Sequence, residues 1–116
     1  MSQKLMNQTK NFLILSELDI AQNFSSRAIG LLGKKNLSAE TGLWIKKCNS
    51  IHTFFMKFAI DCIFVDQSLK VKALYKNIKP WKLIWPIWSA NSVFEVSVGT
   101  IERMNIEIGD QLHVVS

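Results

Sequence analysis

The chain has few of the residues that usually announce a site or a staple. Two cysteines, Cys48 and Cys62, and two histidines, His52 and His113, are all that its 116 residues contain. The cysteines do not form a Cys-x-x-Cys pair, and four such ligands so spaced argue against zinc, so neither a metal nor a cofactor is expected. The two thiols could form a bridge, but in a reducing compartment they are expected to be unbridged and mostly buried. No serine sits in a Gly-x-Ser-x-Gly elbow, and neither cysteine lies in a nucleophile signature. Long apolar runs are missing too. Phe12, Leu13, Ile14 and Leu15 follow Lys4 and Lys10 but are too few for a secretory segment, and Glu17 and Asp19 come at once. No later run reaches transmembrane length, and the expected location is cytoplasmic. Internal repeats and low-complexity segments are absent.

What is present suits one domain over residues 1–116, with residues 1–10 a candidate disordered lead-in. Hydrophobic residues make up 48% of the chain, enough for a core without staples. Fourteen basic side chains against nine acidic ones give a net charge of +5. A solvated basic surface explains that excess more simply than an acidic partner does, and the balance is far from that of a nucleic-acid-binding tail.

The organising stretch is residues 52–66, His-Thr-Phe-Phe-Met-Lys-Phe-Ala-Ile-Asp-Cys-Ile-Phe-Val-Asp. Two apolar runs flank residues 57–59, and each has the length of one strand. In the first, His52, Phe54 and Met56 alternate with Thr53, Phe55 and Lys57. In the second, Asp61 shares a face with Ile63 and Val65, opposite Ile60, Cys62 and Phe64. A strand apolar on both faces belongs inside a sheet, which would bury Asp61 and oblige it to find a cation or several donors.

Around this pair, residues 11–20 alternate as a first strand. Ser25 or Ser26 caps a short helix over residues 27–32, with Gly33 as its stop. Arg27 in its first turn opposes the helix dipole and so suggests a tertiary partner. Residues 42–47, 69–78, 93–98 and 111–115 read as further strands. The lysine face of 69–78 makes that strand a candidate edge. Pro80 and Pro86 bracket a loop or edge segment, and Gly99 and Thr100 open a second short turn of helix. The expected fold is α+β and mostly β, a compact curled or barrel-like, antiparallel-rich sheet of about six or seven strands with two short helices.

Taken in order, Arg27-Ala-Ile-Gly-Leu-Leu-Gly33, Gly42-Leu-Trp44, the 52–57 and 60–66 runs, Lys79-Pro-Trp81, the 94–100 run and Gly109-Asp110 form a specific set. It resembles the small bacterial and archaeal family called domain of unknown function 192. The resemblance covers most of the chain from Arg27 onward and implies a β-rich single domain with no established activity. Many relatives carry an export or membrane-anchoring leader, which this sequence does not display. The family often has Met at the places of Leu32 and Leu43 and Trp at that of Phe55, swaps that keep bulk and apolarity. Its polar signature falls on Arg27, Asp61, Glu95 and Asp110, and its apolar signature on Phe54, Phe55 and Met56.

Four constellations carry candidate chemistry. Asp61 with Arg27 or Lys57 would form an ion pair that pins helix to sheet, or leave Arg27 at a pocket mouth to grip an anion. His52 with Asp61 is the core of an acid–base site, given a hydrogen bond between them. Glu95 interrupts an apolar strand as Asp61 does. If the two carboxylates share a cavity they form an acid–base pair; otherwise Glu95 bonds backbone donors or a lysine. Residues 69–92 hold five lysines with Tyr75, Trp81, Trp85 and Trp88 and no acidic residue. Such a stretch suits nucleic acid or an anionic membrane surface if it is displayed, although tryptophans around two prolines are expected to be partly buried. The leading expectation is a binding or accessory module with a pocket for an anionic or mixed apolar–anionic ligand. Its frame would be Arg27, His52, Phe54, Phe55, Met56, Lys57 and Asp61, with Trp81 on the rim. A small acid–base enzyme using His52 and Asp61, with Glu95 as a further candidate, is the alternative class.

Overall fold

The computed structural model describes residues 3–22 and 37–116. Arg27 and the helix expected over residues 27–32 lie outside them. Among the described residues nine strands and one short helix follow in order: β1 (Gln3–Asn7), β2 (Phe12–Ala21), β3 (Thr41–Ile45), β4 (Ile51–His52), β5 (Ile60–Val65), β6 (Val71–Ile78), β7 (Leu83–Ile84), β8 (Ser92–Ser97), α1 (Thr100–Arg103) and β9 (Leu112–Val115).

Seven strands make one sheet in the order β6-β5-β8-β3-β2-β1-β9, and β4 pairs with β7 in a separate ribbon. Every pairing is antiparallel except β2 with β3. The sheet curls until its two edges meet: Lys70, just before β6, bridges Gln111, just before β9. Asp110, Gly109 and Leu112 exchange further backbone bonds with Val71 and Leu69 at 2.9–3.0 Å. Closing the sheet at that end satisfies edge amides that would otherwise be open for pairing. The fold is thus mostly β and barrel-like, as the strand patterning implies.

β5 is buried along its whole length between β6 and β8, as expected from its two apolar faces. Ile63 and Val65 enter one core with Phe94, Val96, Leu15 and Leu112. Ile60, Cys62 and Phe64 enter a second core on the other face, beneath Ile51, Met56 and Ile84. The β4–β7 ribbon is therefore the lid of that second core.

Two expectations give way. Gln3–Asn7 is not a lead-in but an interior strand between β2 and β9, with Leu5 and Asn7 fully buried. Its place is locked through Asp110, which accepts from Asn7 Nδ2 at 2.9 Å and lies 3.1 Å from Lys10 Nζ. Lys10 also reaches Glu107 at 2.6 Å. Nor is the first half of the 52–66 stretch a sheet strand. Only Ile51 and His52 pair, with Ile84 and Leu83, and the chain then turns at Thr53–Met56. Among the described residues there is one short helix, α1.

Candidate functional site

Asp61, 1% exposed, finds donors rather than a cation. Its Oδ1 accepts the amide of Asn77 at 2.9 Å, and its Oδ2 accepts those of Gly99 and Ile101 at 3.1 and 3.0 Å. The geometry follows from two local features. The β5–β6 register slips between Ile60↔Ile78 and Cys62↔Tyr75, leaving one extra residue in β6, and the bulge turns out the Asn77 amide. On the other side Gly99, at φ 92°, turns the chain from β8 into α1 and presents the first amides of that turn. Asp61 thus joins three elements through backbone bonds, the sort of charge-assisted contact that a buried carboxylate requires. Among the described residues no hydrogen bond joins Asp61 to His52 and no ion pair joins it to Lys57, which is exposed.

The two strand-interior carboxylates do not share a cavity. Asp61 pairs with Val96 and Cys62 with Glu95, so Glu95 is fully buried on the Cys62 face, opposite to that of Asp61. Of the two alternatives for Glu95, this register removes the facing carboxylate pair. Asp110 is likewise spent on structure. Burial would raise its pKa, but bonds from the Glu107 amide, Asn7 and Lys10 hold it below the usual carboxylate value. His113 is exposed on β9, and no group of three or more His, Cys, Asp or Glu among the described residues could hold a metal ion.

The remaining predicted residues do come together, and on the surface. Phe54 stacks on His52, with ring centres 4.5 Å apart, and on Trp81 at 5.8 Å. Trp81 in turn meets the edge of Phe55 at 4.7 Å. Thr53 joins the two loops that carry these rings. Its amide donates to Lys82 O at 2.9 Å, its carbonyl accepts the Trp81 amide at 3.0 Å, and its hydroxyl donates to Lys79 O at 2.6 Å. Ile87 adds an amide bond to Asn49 O at 2.9 Å. In the ribbon Ile51 and Ile84 point to the core, which leaves the other cross-strand pair, His52 and Leu83, on the outer side. Met56, 3% exposed, anchors the loop from below.

The outcome is an aromatic ridge. Phe55 is 65% exposed, Trp81 59%, Leu83 51%, Trp85 77% and Trp88 84%, with Lys57, Lys79 and Lys82 exposed among them. These tryptophans are displayed, against the expectation of partial burial. Folded monomers rarely expose apolar groups of this size side by side unless the surface has a use. Phe55 and Trp81, which touch, both hold positive φ, 67° and 68°. For bulky side chains that conformation is strained and persists only where surrounding bonds impose it, as those of Thr53 do here. A cleft of about 330 Å³ opens beside the ridge, lined by residues 47–52 and Leu83. Trp81 was signalled by the Lys79-Pro-Trp81 motif of the resemblance. Leu83, Trp85 and Trp88 were signalled by the acid-free lysine–tryptophan run, and Thr53 by nothing, because its work is done through backbone partners.

Known proteins place this architecture. The DUF192 family, described as an uncharacterized ACR, matches residues 5–114. A UPF0127 protein of Thermococcus sibiricus is 37% identical over 93% of this chain and 72% of its own length. One from Pyrococcus horikoshii is 33% identical over 93% of this chain and 96% of its own. Two solved structures share the fold at 18% identity and a TM-score of 0.80, each over 97% of this chain. They are a protein of unknown function from Novosphingobium aromaticivorans, covered to 84%, and a candidate transcription regulator from Sinorhizobium meliloti, covered to 91%. No helix among the described residues is long and apolar enough to cross a membrane. With its motifs in order along a curled β sheet, this chain belongs to the DUF192 family.

Proposed function

We propose that this chain is a non-enzymatic binding module that takes an apolar–anionic ligand or partner on the ridge formed by residues 52–58 and 79–88. The single observation that carries this reading is that five large apolar side chains, each more than half exposed, and three exposed lysines lie on two short segments bonded to each other through Thr53. Aromatic rings supply contact area at low entropic cost, and the lysines favour a negatively charged group on the same ligand. An acid–base enzyme built on His52 and Asp61 is the weaker reading. Both oxygens of Asp61 are occupied by backbone amides, and Nδ1 of His52 accepts the Phe54 amide at 3.3 Å.

The test uses anilinonaphthalene sulfonate, a probe that is itself an apolar ring system with one negative charge. Native protein should enhance its fluorescence, and Trp85→Ala with Trp88→Ala should remove most of that signal while leaving the unfolding midpoint in place. Lys79→Ala with Lys82→Ala should weaken binding and blunt its dependence on salt. Probe binding that ignores both pairs of substitutions would overturn the reading.

A further inference from the structure

We propose that the ridge docks on the surface of an anionic lipid bilayer, an inference that rests on the ridge being the binding surface. Its composition points to an apolar slab bounded by headgroups rather than to a chain of bases. Trp81, Trp85 and Trp88 are the side chains that settle at the level of lipid headgroups, with an apolar ring system and a polar N–H. Phe55 and Leu83 are exposed with them, and an aliphatic side chain such as Leu83 offers nothing to a stacked base.

The charge of the segments that carry the ridge has one sign. Residues 41–60 and 67–94 contain no Asp or Glu, but three and five lysines respectively. None of these cations is arginine, whose planar fork suits bidentate contact with individual phosphates. Lysines act as mobile point charges, which suffices for a diffuse layer of anionic headgroups. Part of the ridge has its rings engaged with one another: Phe54 stacks on both His52 and Trp81, and Phe55 abuts Trp81. Ring faces used in this way are withdrawn from base stacking, yet their exposed edges remain able to enter a lipid interface. The bonds of Thr53 to Lys79, Trp81 and Lys82 hold the loops in place before docking, so little ordering accompanies it.

The experiment is cosedimentation of the full chain with vesicles of phosphatidylcholine alone or enriched in phosphatidylglycerol, with tryptophan emission followed in parallel. Binding to the phosphatidylglycerol-rich vesicles, a blue shift of emission and release by salt are expected. Lys79→Ala with Lys82→Ala should lower the partition coefficient roughly 30-fold, from the usual contribution of a lysine near an anionic surface. Trp85→Ala with Trp88→Ala should lower it about tenfold or more. All four side chains are exposed, so both variants should keep the wild-type circular dichroism and unfolding midpoint. Vesicle binding that is absent, or unaltered in both variants, overturns the proposal, as does tighter binding to oligothymidylate than to the vesicles. If anilinonaphthalene sulfonate still binds the ridge in that event, only the bilayer assignment falls; if it does not, the binding-module reading falls as well.

Discussion

Thr53 and Lys82 bond to each other in both directions: the Thr53 amide donates to Lys82 O and the Lys82 amide donates to Thr53 Oγ1, each at 2.9 Å. Thr53 is fully buried, so the hydroxyl works where water cannot replace it. Thr53→Val keeps the shape but leaves the Lys82 amide and the Lys79 carbonyl without this partner. The expected cost is about 1–3 kcal/mol, measured by urea unfolding. Amide exchange should accelerate in residues 79–84 ahead of the rest of the chain.

Asp61→Asn tests the second junction. Its amide group can still accept once from Asn77, but it places a donor against the donors of Gly99 and Ile101. A loss of about 2–3 kcal/mol is expected in chemical denaturation. Binding of anilinonaphthalene sulfonate by the folded fraction should persist, because Asp61 serves the sheet and not the ridge.

Gly42→Ala should destabilise for a different reason. A Cβ at Gly42 would lie 2.5 Å from Leu15 Cδ1 and 3.0 Å from the Glu95 carbonyl oxygen. Leu15 can give way only into a filled core, so a cost of about 1–3 kcal/mol is expected, read as a lower unfolding midpoint.

Acid should act through Asp110 and Asp66. In each, burial raises the pKa but loses to bonds that lower it, from the Glu107 amide, Asn7 and Lys10 for Asp110, and from Lys70 and Ser68 for Asp66. Both folded values therefore lie below the ordinary 3.8. A depressed carboxylate stabilises the fold fully above its unfolded value and loses that contribution as pH falls through the folded one. Stability in urea should be level in this respect above 3.8 and drop below it. Asp110→Asn should lower the plateau and flatten the acid limb.

Much of the fold was legible because burial on both faces leaves a plain signature. The second half of the 52–66 stretch reads as an interior strand, residues 93–98 as a strand, and the lysine face of residues 69–78 as that of an edge, as β5, β8 and β6 are. β1 was not legible: in Gln3–Asn7 only Leu5 and Met6 are apolar, and Asn7 is inside because its side-chain amide donates to Asp110. Residues 52–57 alternate like a strand, yet the positive φ of Phe55 turns them away, and tertiary bonds override that alternation. The partners of Asp61 are backbone amides set by a bulge and a turn, and no side-chain pattern could name them. Composition identified the lysine–tryptophan run but could not say which side of it faces water.

The central claim is that the ligand surface lies on the ridge, and the indole N–H signals of the four tryptophans test it most directly. Trp44 is the internal control, since its Nε1 donates to Ser92 Oγ at 2.9 Å and its ring stacks on Phe94. When anilinonaphthalene sulfonate is titrated into nitrogen-15-labelled protein, the signals of Trp81, Trp85 and Trp88 should move together while that of Trp44 stays. Stationary ridge indoles, with shifts instead at the amides of Asn77, Gly99 and Ile101 around Asp61, would contradict the account.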